Sequence, residues 1–381
     1  MLGLLILPVL ALADPPATTE LALDSEARWV AFELTPSNQI RFTMQVNGRP
    51  AHGILDTGLS DTIVTPAFAA ATGLEPEARE RALAIGGTVE VGWAPVESLS
   101  FGGLTRRGGR LGISSALGQE RFGTDLYIGA DILGCCALDI DYDARRFRIL
   151  PSGRLPFGGA VAPLGRTARS GIYVSQVTLG GVRLRPMVVD TGDGAAITLS
   201  RQAWNSAGVR GTTTSTLGWG MGGAIVTDTL VVPSLTIAGL EAAETEVRVE
   251  PEGGFSARIG VAGRIGTGLM MRYRVLLDPK ANRMALAPGA LASAPVVRST
   301  SGLLLEFTGD ALRVAHVMRG SPAAEGGWRE DDRICAADGE PVGEQVRAAG
   351  GADWAIGAPG RTVRLTLCTG EERTLTLRRF Y

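Results

Sequence analysis

Apolar and polar positions alternate along Ile40–Val46 (IRFTMQV). The chain then turns at Asn47-Gly48 and returns through Ile54-Leu55 into Asp56-Thr57-Gly58. Residues Ile172 to Gly192, IYVSQVTLGGVRLRPMVVDTG, repeat the pattern: a strand-like stretch, a turn at Gly180-Gly181, and Val188-Val189 leading into Asp190-Thr191-Gly192. Asn-Gly and Gly-Gly between such runs predict hairpin turns, because both central residues need φ > 0. The two turns differ by about one residue in their distance from the Asp, an offset that a β-bulge absorbs.

The similarity continues downstream. Tyr127-Ile128-Gly129-Ala130-Asp131-Ile132-Leu133 is answered by Arg264-Ile265-Gly266-Thr267-Gly268-Leu269-Met270, and Leu138-Asp139-Ile140-Asp141-Tyr142 by Val275-Leu276-Leu277-Asp278-Pro279. Asp56 to Asp190 spans 134 residues and Gly129 to Gly266 spans 137, so one unit of roughly 130 residues is duplicated. About thirty residues after its Asp, each copy carries a glycine-rich hairpin candidate. These are Ile85-Gly86-Gly87-Thr88 and Leu217-Gly218-Trp219-Gly220-Met221-Gly222-Gly223. Glycine lets such a hairpin flex and lets its backbone approach a bound chain closely.

Composition sharpens the picture. With 381 residues the chain has room for two or three domains, and 52 glycines and 20 prolines with few helical stripes favour a β-rich fold. Lys+Arg 37 against Asp+Glu 39 gives no electrostatic reason to expect nucleic acid or an anionic membrane. Only His52 and His316 are available as imidazole bases, and GxSxG, HExxH, P-loop and dinucleotide fingerprints are all missing. Any hydrolysis must therefore rely on carboxylates. The apolar run Leu2 to Ala13 ends in Ala11-Leu12-Ala13, a small-x-small signature that predicts a signal peptide over residues 1–13 and export to the periplasm or medium. That run is shorter than the ~20 residues of a membrane span, so no integral segment is expected in the mature chain. No Cys/His spacing suggests a metal. Adjacent Cys135-Cys136 is not expected to form an ordinary bridge, whereas Cys335 and Cys368 can pair or remain buried thiols.

Two carboxylates brought together by a repeated frame share one proton, since like charges a few ångströms apart do not both ionise easily. One then acts as base toward a water and the other as acid toward the amide oxygen, with no cofactor. On these motifs, with Leu55 to Thr62 and Ile128 to Leu133, residues 38 to 290 resemble a retropepsin-type aspartic protease with two lobes fused in one chain. The resemblance implies a flap over each active-site loop, Asp56 and Asp190 as the catalytic pair, and Thr57-Gly58 and Thr191-Gly192 as loop-locking residues. It makes Gly86, Gly87, Trp219, Gly220 and Gly222 flap residues and implies a polypeptide substrate. Two positions depart from the family pattern: Leu59 and Asp193 follow the glycines where a small or hydroxyl-bearing residue is usual. Both changes are expected to raise the dyad pKa.

Beyond the Ala- and Pro-rich stretch Ala287 to Thr300 comes Leu303 to Phe307, then Gly320-Ser321-Pro322-Ala323-Ala324, Asp332-Arg333-Ile334 and the turn Asp338-Gly339. Residues 300 to 381 resemble a bacterial PDZ domain. That implies peptide docking by strand addition, with Gly302, Leu303 and Leu304 offering backbone N–H groups to a C-terminal carboxylate. The expectation is an all-β chain: a pepsin/retropepsin-like pair of β-barrel lobes over 14–160 and 161–292, and a small PDZ-like β-sandwich or barrel over 293–381. The main alternative is a catalytically silent peptide-binding or chaperone-like protein. A weaker one is an interaction protein that works through its PDZ domain.

Overall fold

The computed structural model describes residues 17–117, 123–343 and 352–381, so the apolar run of residues 1–13 lies outside the described residues. The fold is all-β, as its alternating patterns require. Strands Ile40–Val46 and Arg49–Leu55 form the first hairpin around Asn47 (φ 50°) and Gly48 (φ 72°). Tyr173–Leu179 and Val182–Asp190 form its counterpart around Gly180 (φ 57°) and Gly181 (φ 79°). The one-residue offset is taken up by a register shift between Ser175 and Val177 in the second hairpin.

Each hairpin is followed by the same succession of elements. A short strand, Ile63–Val64 or Ile197–Leu199, enters a two-turn helix, Pro66–Thr72 or Arg201–Ala207. Thr65 and Ser200 cap these helices by accepting from the N–H of Phe68 (3.2 Å) and Ala203 (3.1 Å), and Gly73 and Gly208 end them in the left-handed conformation. A long hairpin follows: Ala78–Ala84 with Gly87–Pro95, or Thr214–Gly220 with Gly223–Ile237. The copy closes when Leu126–Ile128, or Gly263–Gly266, runs parallel beside the strand that carries the Asp.

The described strands of residues 18–128, except Val30–Ala31, form an 11-stranded sheet, and those of 165–266 an 8-stranded sheet. Thr18–Leu21 is built into the first of these against Leu104–Arg107. A six-stranded sheet joins the copies, with Ala137–Asp141 antiparallel to Tyr273–Asp278. One hydrophobic core runs through both, from Phe32 to Leu286. At the joint Asp139, fully buried, accepts from Arg148 (2.9 Å) and from two nitrogens of Arg274 (3.0 and 2.9 Å).

A separate core made of residues 303–377 underlies the C-terminal sheet. Ser321 caps the turn of helix Pro322–Glu325 (3.1 Å to Ala324 N), and Asp338-Gly339 turns at positive φ between Arg333–Ala337 and Glu340–Pro341. Strand Leu303–Thr308 lies at the sheet's edge. Part of the segment Gln345 to Gly360, where a groove helix is expected, falls on residues 344–351, outside the described residues.

The cysteines require a correction. Cys335 bridges Cys368, and Cys135 bridges Cys136, against the expectation for adjacent cysteines. The adjacent pair sits in the turn between helix Ala130–Leu133 and strand Ala137–Asp141, outside any regular element that would hold the two side chains apart.

Breaking a buried ion pair leaves the partner charges uncompensated, at about 3–5 kcal/mol. Asp139→Ala is therefore expected to lower the urea-unfolding free energy by about that much. Arg79→Ala, which removes a surface pair with Glu90 between side chains 69% and 62% exposed, is expected to leave the midpoint in place.

Candidate active site

Asp190 ends strand Val182–Asp190 and Asp56 directly follows Arg49–Leu55, so both carboxylates stand at the ends of inner, paired strands. The loops behind them are crossed. Thr57 N–H donates to Thr191 Oγ1 (3.0 Å) and Thr191 N–H to Thr57 Oγ1 (3.1 Å). Each hydroxyl then donates to a main-chain carbonyl of the other loop's strand, Thr57 to Val189 (2.6 Å) and Thr191 to Leu55 (2.7 Å). Both threonines are fully buried. Gln39 and Asn38 add side-chain bonds across the joint, to the carbonyls of Gly192 (2.8 Å) and Gly194 (3.1 Å).

This lock sets the two carboxyls against each other. Asp56 Oδ1 accepts from Gly58 N–H (3.0 Å), and Asp190 Oδ1 from Gly192 and Asp193 N–H (3.0 Å each). A Cβ added at Gly58 would lie 2.3 Å from the carboxyl carbon of Asp190, and one at Gly192 would lie 2.4 Å from that of Asp56. Glycine is therefore required on each loop by the opposite loop's carboxylate. Burial, then the neighbouring charge of Asp190, pushes Asp56 well above the usual carboxylate range. Asp190 is pushed up to about 6 by burial and by the charge of Asp193, while Arg264 pulls it back down. The pair thus has the means to hold one proton over a wide pH range.

The glycine-rich hairpins meet at their tips. Gly222 N–H donates to the Ile85 carbonyl (2.8 Å), a Cβ on Gly86 would fall 2.4 Å from the Gly223 carbonyl oxygen, and one on Gly220 would meet Ile85 at 2.4 Å. A Cβ on Gly222 would come within 2.1 Å of Gly87 N, so the contact is backbone against backbone. Trp219 is half exposed on the second tip. Leu59, one of the two departures, packs against the buried cluster of Ile63, Val89, Val91 and Trp93, on which Met221 of the second hairpin also packs.

Sequence reasoning missed several residues around the site. Asp131 accepts from Thr62 N–H (3.0 Å) and hydroxyl (2.8 Å), while Thr62 Oγ1 accepts from Gly129 N–H (3.0 Å), which stiffens the first loop. Burial pushes Asp131 to about 6. Arg264 stood in the quoted repeat, but nothing in its neighbours announced a role. In the C-terminal sheet, Leu304 pairs with His316, while the N–H groups of Gly302 and Leu303 donate to the hydroxyls of Ser299 (2.9 Å) and Ser301 (3.1 Å). A carboxylate at that loop has to displace those hydroxyls. The same sheet leans on the second hairpin: Thr214 Oγ1 donates to the Arg319 carbonyl (2.7 Å), and Ser215 Oγ hydrogen-bonds His316 Nε2 (2.8 Å).

Among the described residues, no group of three or more His, Cys, Asp or Glu is placed to hold a metal ion, and no helix is long and apolar enough to cross a membrane.

Residues 42–132 match the aspartyl protease family. This stretch runs from the first hairpin through Asp56-Thr57-Gly58 to Ile132, and the match supports protease activity in general and a polypeptide substrate. No curated protein sequence matches the chain.

The crossed threonines are expected to make a measurable contribution to stability. Thr57→Val removes a hydroxyl that serves Thr191 N–H and the Val189 carbonyl, and is expected to cost about 1–3 kcal/mol in urea unfolding. Thr57→Ser, which keeps the hydroxyl, is expected to recover most of that loss.

Proposed function

We propose that the chain is an aspartic endopeptidase in which Asp56 and Asp190, from two fused copies of one lobe, activate a water between them. The observation that carries this reading is the reciprocal Thr57–Thr191 lock, which sets the two Asp-Thr-Gly loops face to face. The ionised carboxyl takes a proton from water as the water oxygen bonds to the amide carbon. The protonated carboxyl gives its proton to the carbonyl oxygen, so the dyad as a whole keeps one proton. The diol then collapses. The newly protonated carboxyl gives its proton to the nitrogen as the C–N bond breaks, and the other carboxylate takes a proton from a diol hydroxyl. The amine leaves and the dyad again holds one proton. In this reading an extended segment of unfolded polypeptide lies between the paired hairpins and the dyad, where glycine backbone can approach it closely whatever its sequence.

The C-terminal sheet is the recruiting module in this reading, a PDZ domain whose edge strand Leu303–Thr308 accepts a peptide by strand addition. Export to the periplasm or medium suits the Cys335–Cys368 bridge, since disulfides persist in oxidising compartments.

The pH window follows from the dyad. Protonation of Asp190, raised to about 6, removes the base at low pH, and loss of the proton that the buried pair shares removes the acid at high pH. Cleavage of unfolded casein is therefore expected to rise through about pH 6 and to be weak at pH 3. Asp56→Asn and Asp190→Asn are each expected to lower the rate at least a thousandfold. A maximum near pH 3 would contradict the window. Equal behaviour of wild type and both variants, with no cleavage at any pH, would favour a silent peptide-binding protein.

A further inference from the structure

The two copies differ most sharply beside the dyad. In the second copy Arg264, only 4% exposed, lies on the strand paired with the one that carries Asp190. Its Nε donates to Asp193 Oδ2 (3.0 Å) and stands 3.9 Å from Asp190 Oδ2. Its NH1 donates to Glu250 Oε1 (2.7 Å) and Ser256 Oγ (3.2 Å). Glu250 is held in turn by Ser256 N–H (2.8 Å), and Asp193 by Ala195 N–H (2.9 Å).

The equivalent positions of the first copy can be read from the pairing. Tyr127 pairs with Ile54 as Arg264 pairs with Val188. Ser114 N–H donates to the Val64 carbonyl as Glu250 N–H does to that of Leu199, and Ala130 N–H donates to the Leu59 carbonyl as Thr267 N–H does to that of Asp193. The triad Asp193, Arg264, Glu250 is thus Leu59, Tyr127, Ser114 around Asp56. One half of the dyad has a buried guanidinium beside it, and the other has none at the matching place.

We propose that Arg264 is a positioning residue that breaks the symmetry of the dyad, making Asp190 the carboxylate that takes the proton from water and leaving Asp56 as the acid that protonates the amide oxygen. This assignment rests on the endopeptidase reading given above. The charged groups facing Asp190 are Asp56 across the cleft, Asp193 on its own loop and Arg264 on the neighbouring strand; Glu250 lies behind Arg264, and Arg248 acts on Asp193. Asp193 alone would hold Asp190 protonated. Arg264 neutralises Asp193 and bears directly on Asp190, which keeps that carboxyl the more acidic of the two. Burial raises both dyad members, and Arg264 lowers only Asp190 among the leading contributions, in line with the assignment.

The test uses two variants with opposite expected signs, read on the full chain. Arg264→Met removes the positive charge and is expected to raise the acid limb of the kcat/KM profile by about one to three pH units. Asp193→Asn removes the negative charge and is expected to lower it. Arg264→Lys is expected to restore most of the wild-type limb. A purely structural role would move activity and melting temperature together without opposite displacements of the limb. Limbs unchanged in Asp193→Asn, or shifted the same way in both variants, overturn the proposal. If Arg264→Met does not fold, Asp193→Asn and Arg264→Lys carry the decision. If the wild-type chain cleaves nothing, the endopeptidase reading falls, and carboxyl-carbon NMR of Asp190 in the same variants still reads the displacements.

Discussion

The site depends on four hydrogen bonds by which Thr57 and Thr191 cross between the two loops, two to each other and one each to the carbonyls of Val189 and Leu55. They are made in a fully buried place where an unpaired N–H or carbonyl costs about 1–3 kcal/mol, so they hold only if both loops hold. Everything else near the dyad is arranged around that joint. The inner strands end there, the glycines leave room for the opposite carboxylate, and the shared sheet with Asp139 and Arg274 keeps the two copies in register. Burial and the neighbouring charge of Asp190 then raise Asp56 well above the usual carboxylate range.

Symmetry of backbone with asymmetry of side chains is the second theme. Both copies spend the same elements, caps and turns on presenting an Asp, yet they stiffen their loops differently. The first uses Asp131 between Thr62 and Arg106; the second uses Arg264 between Asp193 and Glu250. Leu59, which reads as a lost hydroxyl, and Asp193, which reads as an added negative charge, have distinct structural uses: one packs on an apolar cluster of the first hairpin, and the other anchors a buried arginine. The C-terminal sheet touches the strand Thr214–Gly220 of the second hairpin, so the two are mechanically joined.

Much of this was legible in the sequence because it is local. Two-residue turns at Asn47-Gly48 and Gly180-Gly181, alternation in the strands that flank them, and two Asp-Thr-Gly triplets in one frame all follow from φ requirements and period-two burial. The one-residue mismatch was legible too, as the bulge near Ser175. What was not legible depends on contacts made by strand pairing. Arg264 reaches Asp193 only because its strand runs parallel to Val182–Asp190. The hydroxyls of Ser299 and Ser301 fold back onto Gly302 and Leu303, a local choice that the peptide-loop resemblance hides. The bridge of Cys135 to Cys136 depends on a turn that no spacing rule announces.

The central claim is that one chain supplies both halves of a single site. Calorimetric titration with a pepstatin-type peptide, whose hydroxyl takes the place of the water between the carboxyls, tests it most directly. The expected result is one inhibitor per chain, with binding lost when either Asp56 or Asp190 is replaced by Asn. One inhibitor per two chains, or binding that survives replacement of either Asp, would contradict it.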